Sequence, residues 1–156
     1  MIDLQTHLPI LQVVIPLLGS LLTAFIRRGT LSWLVTLIVT WTLPFIAVAL
    51  FLQVQAAGAP IYYKLGNWEA PFGIVYKVDV LSAFMLCLVS GAAAVIMPFA
   101  RKSVASEIDS HQQSWYYTMY LLCLAGLLGI IITNDAFNAF VFLEVSSLST
   151  YVLIAL

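Results

Sequence analysis

The sequence has very little charge. Only 8% of its 156 residues are Asp, Glu, Lys or Arg, whereas 63% are hydrophobic and the mean hydropathy is +1.06. A soluble domain carries roughly 25% charged residues, which cover its surface in water. So few charges exclude a water-exposed globular fold, and we expect an integral membrane protein.

Basic tracts, cysteines and catalytic sets are also scarce. The net charge of -1 and the absence of a Lys/Arg run exclude a nucleic-acid partner. The two cysteines, Cys87 and Cys123, lie in apolar runs and form neither a disulfide framework nor a metal-ligand pattern. No Ser/His/Asp or Cys/His set can be assembled. We therefore expect no metal, no cofactor and no catalytic chemistry in this chain.

Five apolar runs are long enough to cross a membrane, which takes roughly 20 residues. They are Leu8 to Ile26, Leu31 to Val54, Val80 to Ala100, Trp115 to Thr133 and Ala136 to Leu156. Runs this long and continuous favour helices, because only helices or closed barrels satisfy the backbone in lipid. The first run lacks the features of a cleaved signal peptide. We expect an all-α fold in which residues 1–156 form a single membrane domain.

The segment of residues 56–79, between the second and third runs, is too polar to span. Two β-prone pieces, "IYYKL" and "GIVYKV", flank the turn-forming "GNWEAPF". This pattern predicts a short β-hairpin on one membrane face, with the rings of Tyr62, Tyr63, Trp68 and Tyr76 at the headgroup level. The polar residues 101–114 are interpreted as a solvated loop.

The Lys and Arg residues indicate an orientation. With the N-terminus outside, the inside loops hold Arg27, Arg28, Arg101 and Lys102, and the outside segments hold Lys64 and Lys77. Because inside loops carry the excess of Lys and Arg, this distribution favours an external N-terminus and an external hairpin.

One ionisable side chain, Glu144, lies in the middle of a span. It follows Asp135 by nine residues and so lies about 13 to 14 Å deep at 1.5 Å per residue, near the midplane of a core roughly 30 Å thick. A charge at that depth costs about 2.5–3.5 kcal/mol on insertion scales. Helical spacing places Ser147 and Tyr151 on the same face. The pattern indicates a proton or ion relay, with a neutral, hydrogen-bonded glutamic acid as the structural alternative.

The remaining carboxylates and the basic residues limit this interpretation. Asp79 and Asp135 lie at helix starts, where a carboxylate interacts favourably with the helix dipole, and a role in proton entry stays open for both. None of the Lys, Arg or His residues can reach mid-membrane. A cationic partner for Glu144 would therefore lie on another segment or chain, and we expect a fragment or one piece of a split protein.

Two motifs resemble a known family. The first is "GLLGIIITNDAFNAFVFLEVSSLSTYVLIAL", with the run D-x-F-N-x-F-x-F-x-E from Asp135 to Glu144, and the second is "GNWEAPFGIVYKVDVLSAFML". Both resemble the antiporter-like membrane subunits of Mrp-type Na+/H+ antiporters, of complex I (NADH:quinone oxidoreductase) and of energy-converting membrane-bound hydrogenases. The resemblance covers roughly residues 8–156 and implies the N-terminal part of such a subunit.

The resemblance also implies a role for Glu144. In that family the matching glutamate pairs with a lysine on a later, broken helix, and the pair moves protons along a hydrated path. It implies other membrane subunits as partners, one of them supplying a mid-membrane Lys. It further implies contact with the lipid bilayer, protons and Na+ as transported ions, and a bacterial or archaeal plasma (inner) membrane.

Three functions remain open at this point. The first is a subunit, incomplete by itself, of a multisubunit cation/proton antiporter. The second is a proton-pumping membrane subunit of a redox complex, in which the redox chemistry lies elsewhere because this chain has no cluster-ligand cysteines or nucleotide loop. The third is a non-conducting structural membrane fragment.

Overall fold

A computed structural model describes residues 5–68 and 71–156. Within them, five α-helices are each long and apolar enough to cross a membrane. They are α1 (Leu8–Phe25), α2 (Gly29–Ala57), α3 (Val80–Glu107), α4 (Gln113–Ile132) and α5 (Ala136–Ala155). The all-α membrane fold expected from the apolar runs is confirmed.

Helix α4 is the centre of the bundle. It packs against α1, α2, α3 and α5, whereas the described part of α5 packs mainly against α4. In the most apolar stretch of α4, 50% of the residues are buried, against 17% in that of α5. The largest fully buried aliphatic side chains lie between the helices, and they include Leu43, Leu50, Leu86, Leu121, Leu128 and Ile132.

Helix α3 is longer than the apolar run that predicts it. Residues 101–107, interpreted above as solvated loop, continue the helix, and only residues 108–112 connect α3 to α4. Polar side chains are compatible with a helix that has left the lipid, because its backbone bonds are internal. Val104 is also buried beside Tyr117, which holds the extension against the bundle. The start of the polar residues correctly indicated where the apolar run ends. The prediction that the helix also ends there was wrong.

The β-hairpin between α2 and α3 is confirmed. Strand β1 (Ile61–Lys64) pairs antiparallel with β2 (Val75–Val78) in the register Ile61↔Val78 and Lys64↔Val75. The turn begins with consecutive residues at positive φ, Gly66 and Asn67. Glu69 and Ala70, part of the expected turn, lie outside the described residues.

The hairpin is attached to the turn between α4 and α5. A β-bridge joins Tyr76 to Thr133, and the backbone N–H of Asn134 donates to the carbonyl of Val75 over 3.0 Å. Tyr76 is only 4% exposed. The ring of Tyr76 is turned inward onto α5, while Tyr62 and Trp68 are exposed, and the headgroup level expected for these rings stays a prediction.

Candidate functional site

The start of α5 is held by a small polar cluster. Asp135 is its N-cap residue, and a carboxylate oxygen of Asp135 accepts from the backbone N–H of Asn138 over 3.1 Å. The side-chain amide of Asn138 donates to Thr133 Oγ1 over 3.0 Å. This cap satisfies a backbone donor that a helix terminus otherwise leaves unpaired. It sets where α5 begins, and so the depth of every residue along it.

Tyr76 adds a contact from the hairpin to the same helix. Its ring lies 6.5 Å from that of Phe142, between centroids. Burial raises the pKa of the Tyr76 phenol, an effect that a hydrogen bond with the Asn138 side chain partly opposes. The phenol therefore stays neutral, which suits a buried hydrogen-bonded anchor.

One face of α5 is closed against α4. Its buried residues are Asn138, Phe142, Ser146 and Ser149, spaced by three or four positions. A Cβ added at Gly129 would lie 2.6 Å from the ring of Phe142, and one at Gly126 would lie 2.8 Å from the carbonyl oxygen of Phe142. Glycines at these positions allow the two backbones to approach closely.

Glu144 lies on the opposite side of α5. It follows Phe142 by two residues, which turns its side chain roughly 200° away from the α4 contact at about 100° per residue. Glu144 is exposed, and it makes no hydrogen bond or ion pair within the described residues. This chain positions the carboxylate at mid-helix and does not enclose it.

Ser147 and Tyr151 accompany Glu144 on this face, as the spacing predicts. Ser147 is half-buried and Tyr151 is 68% exposed. Phe140, one turn before Glu144, is 60% exposed on the same side. The outer surface of α5 therefore combines apolar side chains with a carboxylate, a hydroxyl and a phenol.

Asp79 caps α3 as Asp135 caps α5. Its carboxylate oxygen accepts from the backbone N–H of Ser82 over 2.7 Å, and this hydrogen bond is the main reason that the pKa of Asp79 is lowered. Both aspartates lie at the hairpin end of the bundle, where α3 and α5 begin. Their geometry is that of helix caps, and their role in proton entry stays a prediction.

A buried hydroxyl cluster between α1, α2 and α4 was missed by sequence reasoning. Ser32 and Ser114 lie 2.8 Å apart, and Thr23 and Thr118 lie 3.1 Å apart, measured between hydroxyl oxygens. The hydroxyl of Ser114 also donates to the carbonyl of Thr23 over 2.6 Å. The signal was hydroxyl residues four positions apart in apolar runs. Such interhelical bonds contribute about 0.6 kcal/mol each on average, so the cluster joins the three helices.

Metal-binding groups are absent from the part of the chain that the structure describes. No set of three or more His, Cys, Asp or Glu side chains there could hold a metal ion. Cys123 instead contacts hydroxyls of α5, with its sulfur 3.4 Å from Thr150 Oγ1 and 3.7 Å from Ser146 Oγ.

Comparison with known proteins gives relatives of two kinds. The chain is 34% identical over 153 residues to a Na(+)/H(+) antiporter subunit of Alkalihalophilus pseudofirmus, an alignment that covers 97% of this chain and 30% of the relative. It is 34% identical over 155 residues to a NADH-quinone oxidoreductase subunit of Desulforudis audaxviator, with the same coverage of 97% and 30%. No model of a protein family matches the chain.

Two solved structures contain a similar fold. A chain of the membrane-bound sulfane sulfur reductase, an archaeal respiratory membrane complex, superposes with a TM-score of 0.82 at 28% identity, over 94% of this chain and 30% of that chain. A chain of the Mrp complex from Dietzia sp. superposes with a TM-score of 0.80 at 30% identity, over 96% and 27%. The chain spans about 30% of the length of the relatives that it matches. Over nearly its whole length, this integral membrane protein is a homologue of the antiporter-like membrane subunits found in Mrp-type antiporters and NADH-quinone oxidoreductases.

Proposed function

We propose that this chain is the N-terminal part of an ion-translocating subunit in a multisubunit cation/proton antiporter. In this proposal Glu144 is a proton-relay carboxylate that works with a lysine supplied by another segment or subunit. The observation that carries the proposal is the position of Glu144, at the middle of a membrane helix and on the face turned away from the rest of the chain.

The energy of that position argues for a protein partner. A carboxylate facing lipid at mid-membrane costs about 2.5–3.5 kcal/mol, and such residues normally face other helices or a water-filled cavity. None of the described residues supplies a donor to Glu144. The outer face of α5 is therefore the surface on which the segment that completes the site packs.

The surface of α5 also supports a hydrated path. Thr150, Ser147 and Glu144 lie roughly 80°, 140° and 200° around the helix from Phe142, at about 100° per residue. They form a polar flank that leads from the α4 contact to the outer face. The opposite flank carries Val141, Val152 and Leu148. Hydroxyl side chains along one flank can order water beside the carboxylate, which is what a proton relay requires.

Charge coupling provides the mechanism. A lysine near Glu144 would favour its charged form, because an opposite charge within about 4–6 Å lowers a carboxyl pKa. When the lysine loses its proton or moves away, desolvation favours the neutral acid, and Glu144 takes up a proton from the water path. Return of the cation expels the proton toward the next site.

The test measures ion-driven pH change in inverted vesicles that contain the assembled complex. We expect Glu144→Gln and Glu144→Ala each to lower transport on the order of 100-fold, the lower end of the effect of a positioned proton-transfer group. Glu107→Gln, at the exposed end of α3, is the matched control and should transport normally. Retention of transport in Glu144→Gln alone would mean a hydrogen-bonding role, and retention in both variants would contradict the relay.

A redox-driven pump is the second candidate. Two likenesses favour it, one to a NADH-quinone oxidoreductase subunit and one to a chain of an archaeal respiratory complex. Purification of the native complex separates the candidates. Hydrophilic subunits with iron–sulfur clusters, and a pH change driven by an electron donor, would identify the redox pump. A pH change driven only by a Na+ gradient would identify the antiporter.

A further inference from the structure

A cavity of about 350 Å³ opens at the end of the bundle opposite the hairpin. It lies where α1 ends and α4 begins, and it is lined by Ala24, Arg27, His111, Ser114 and Trp115. Its volume is within the range of about 300–1,000 Å³ that is usual for small-molecule sites. Neither the relay proposed for Glu144 nor the hydroxyl cluster uses the open side of this cavity.

The polar side of the cavity is basic. Arg27 and His111 are exposed, and neither makes a hydrogen bond or ion pair within the described residues. The wall behind them is held in place, because the hydroxyl of the buried Ser114 lies within hydrogen-bond distance of the carbonyls of Thr23 and Ile26. Arg101, at the same end, differs from Arg27, since its guanidinium already lies 4.8 Å from the ring centroid of Trp33. The cavity therefore offers an Arg and a His side chain to an anion.

Beyond the cavity, apolar side chains continue along α1 and α4. On α1, Leu21 precedes Ala24 by one helical turn and is 57% exposed. On α4, Met119 and Leu122 follow Trp115 by one and two turns and are half-buried. These apolar residues follow one another from the basic end toward the middle of the bundle. Trp115, which lines the cavity and is 52% exposed, is of the residue type that collects at the membrane interface.

We propose that this cavity binds an anionic phospholipid from the inner leaflet. The phosphate contacts Arg27 and His111, and an acyl chain lies along Trp115 and the neighbouring apolar side chains of α1 and α4. A planar guanidinium is well suited to phosphate oxygens. The basic end of the bundle faces the cytoplasm by the Lys/Arg rule, and basic pockets between helices on that side bind phospholipid head groups. A soluble phosphate would use the basic wall and leave Trp115 and the exposed Leu21 without a role.

Site-specific photo-crosslinking tests the proposal. The assembled complex, with benzoylphenylalanine in place of Trp115, is reconstituted in nanodiscs of dioleoyl phosphatidylcholine mixed with dioleoyl phosphatidylglycerol. The mass of the lipid adduct on the chain is measured after illumination. We expect phosphatidylglycerol adducts to exceed the lipid's share of the bilayer by about fivefold, the effect of one Arg near an anionic surface.

Variants and competitors decide the outcome. Arg27→Gln should lower the adduct ratio to the bilayer share, whereas Lys102→Gln, a basic residue at the same end that does not line the cavity, should leave the enrichment unchanged. If the complex that retains Arg27 gives an adduct ratio equal to the bilayer share, the proposal is overturned. So would loss of enrichment on addition of inorganic phosphate at constant ionic strength, because the site would then select a soluble anion.

Discussion

Two regions of the molecule differ in how their polar groups are satisfied. One is the contact between α1, α2 and α4, and the other is the outer face of α5. In the first region the hydroxyls of Thr23, Ser32 and Ser114 are buried and hydrogen-bonded to neighbouring helices or carbonyls. In the second region Glu144 and Tyr151 are exposed and have no partner within the described residues. The first region satisfies its own polar groups. The second leaves its polar groups without a partner within the described residues, and in the proposed function another segment supplies that partner.

The largest expected effect comes from separating α5 from the bundle. Gly129→Leu should prevent the α4–α5 contact, because even a Cβ at this position lies 2.6 Å from the Phe142 ring. Overpacking costs about 1–3 kcal/mol when a core can adjust, and more when it cannot. We expect the complex to lose this subunit on size-exclusion chromatography.

Gly91→Ala is the matched control for Gly129→Leu. Gly91 also lies inside a helix, but a Cβ added there meets no atom within 4 Å. Alanine favours a helix by about 1 kcal/mol over glycine, so Gly91→Ala should assemble normally. Normal assembly of Gly129→Leu would mean that α5 is held by other segments, and it would remove the contrast between its two faces.

A smaller effect should follow from replacing one serine in each region by alanine. Ser114→Ala removes hydrogen bonds between α1, α2 and α4 and should destabilise the chain by about 0.6–1.7 kcal/mol, from the average to the largest value for one such bond in a membrane. Ser147→Ala should leave stability unchanged and lower ion-driven transport. Thermal unfolding in detergent and vesicle transport assays measure the two effects. Equal destabilisation by both substitutions would contradict the division into structural and functional polarity.

The smallest expected effect concerns the cap of α3. The folded-state pKa of Asp79 is lowered by the hydrogen bond from Ser82, so this cap stabilises the fold above the ordinary Asp pKa of about 3.9 and is lost as pH falls through the lowered value. Asp79 is half-buried, so solvent partly screens the effect. Hydrogen exchange at the first turn of α3 should increase at acidic pH. Asp79→Asn should remove that pH dependence and keep most of the protection at neutral pH, because Asn also caps helices.

Much of the architecture could be predicted because it depends on the composition and length of continuous segments of the chain. Apolar length predicted each span, and β-prone pieces around Gly66 predicted the hairpin. The position of Glu144 near the middle of α5 required only a count of residues from Asp135. The end of α3 and the burial of Tyr76 could not be predicted in this way. Both depend on contacts with distant residues, Tyr117 in one case and Thr133 and Phe142 in the other.

The sequence by itself determined that the chain spans a membrane and that one carboxylate lies in the middle of a spanning helix, since composition and residue counting are sufficient for both. Only the tertiary structure decided which way that carboxylate points. Helix α5 carries polar side chains both on its packed side, such as Asn138 and Ser146, and on its outer side at Glu144. Lipid is as apolar as a protein core, so the sequence pattern of α5 does not distinguish the packed side from the outer side. The small size of Gly126 and Gly129 allows the Phe142 face of α5 to pack closely on α4, and this leaves Glu144 facing outward.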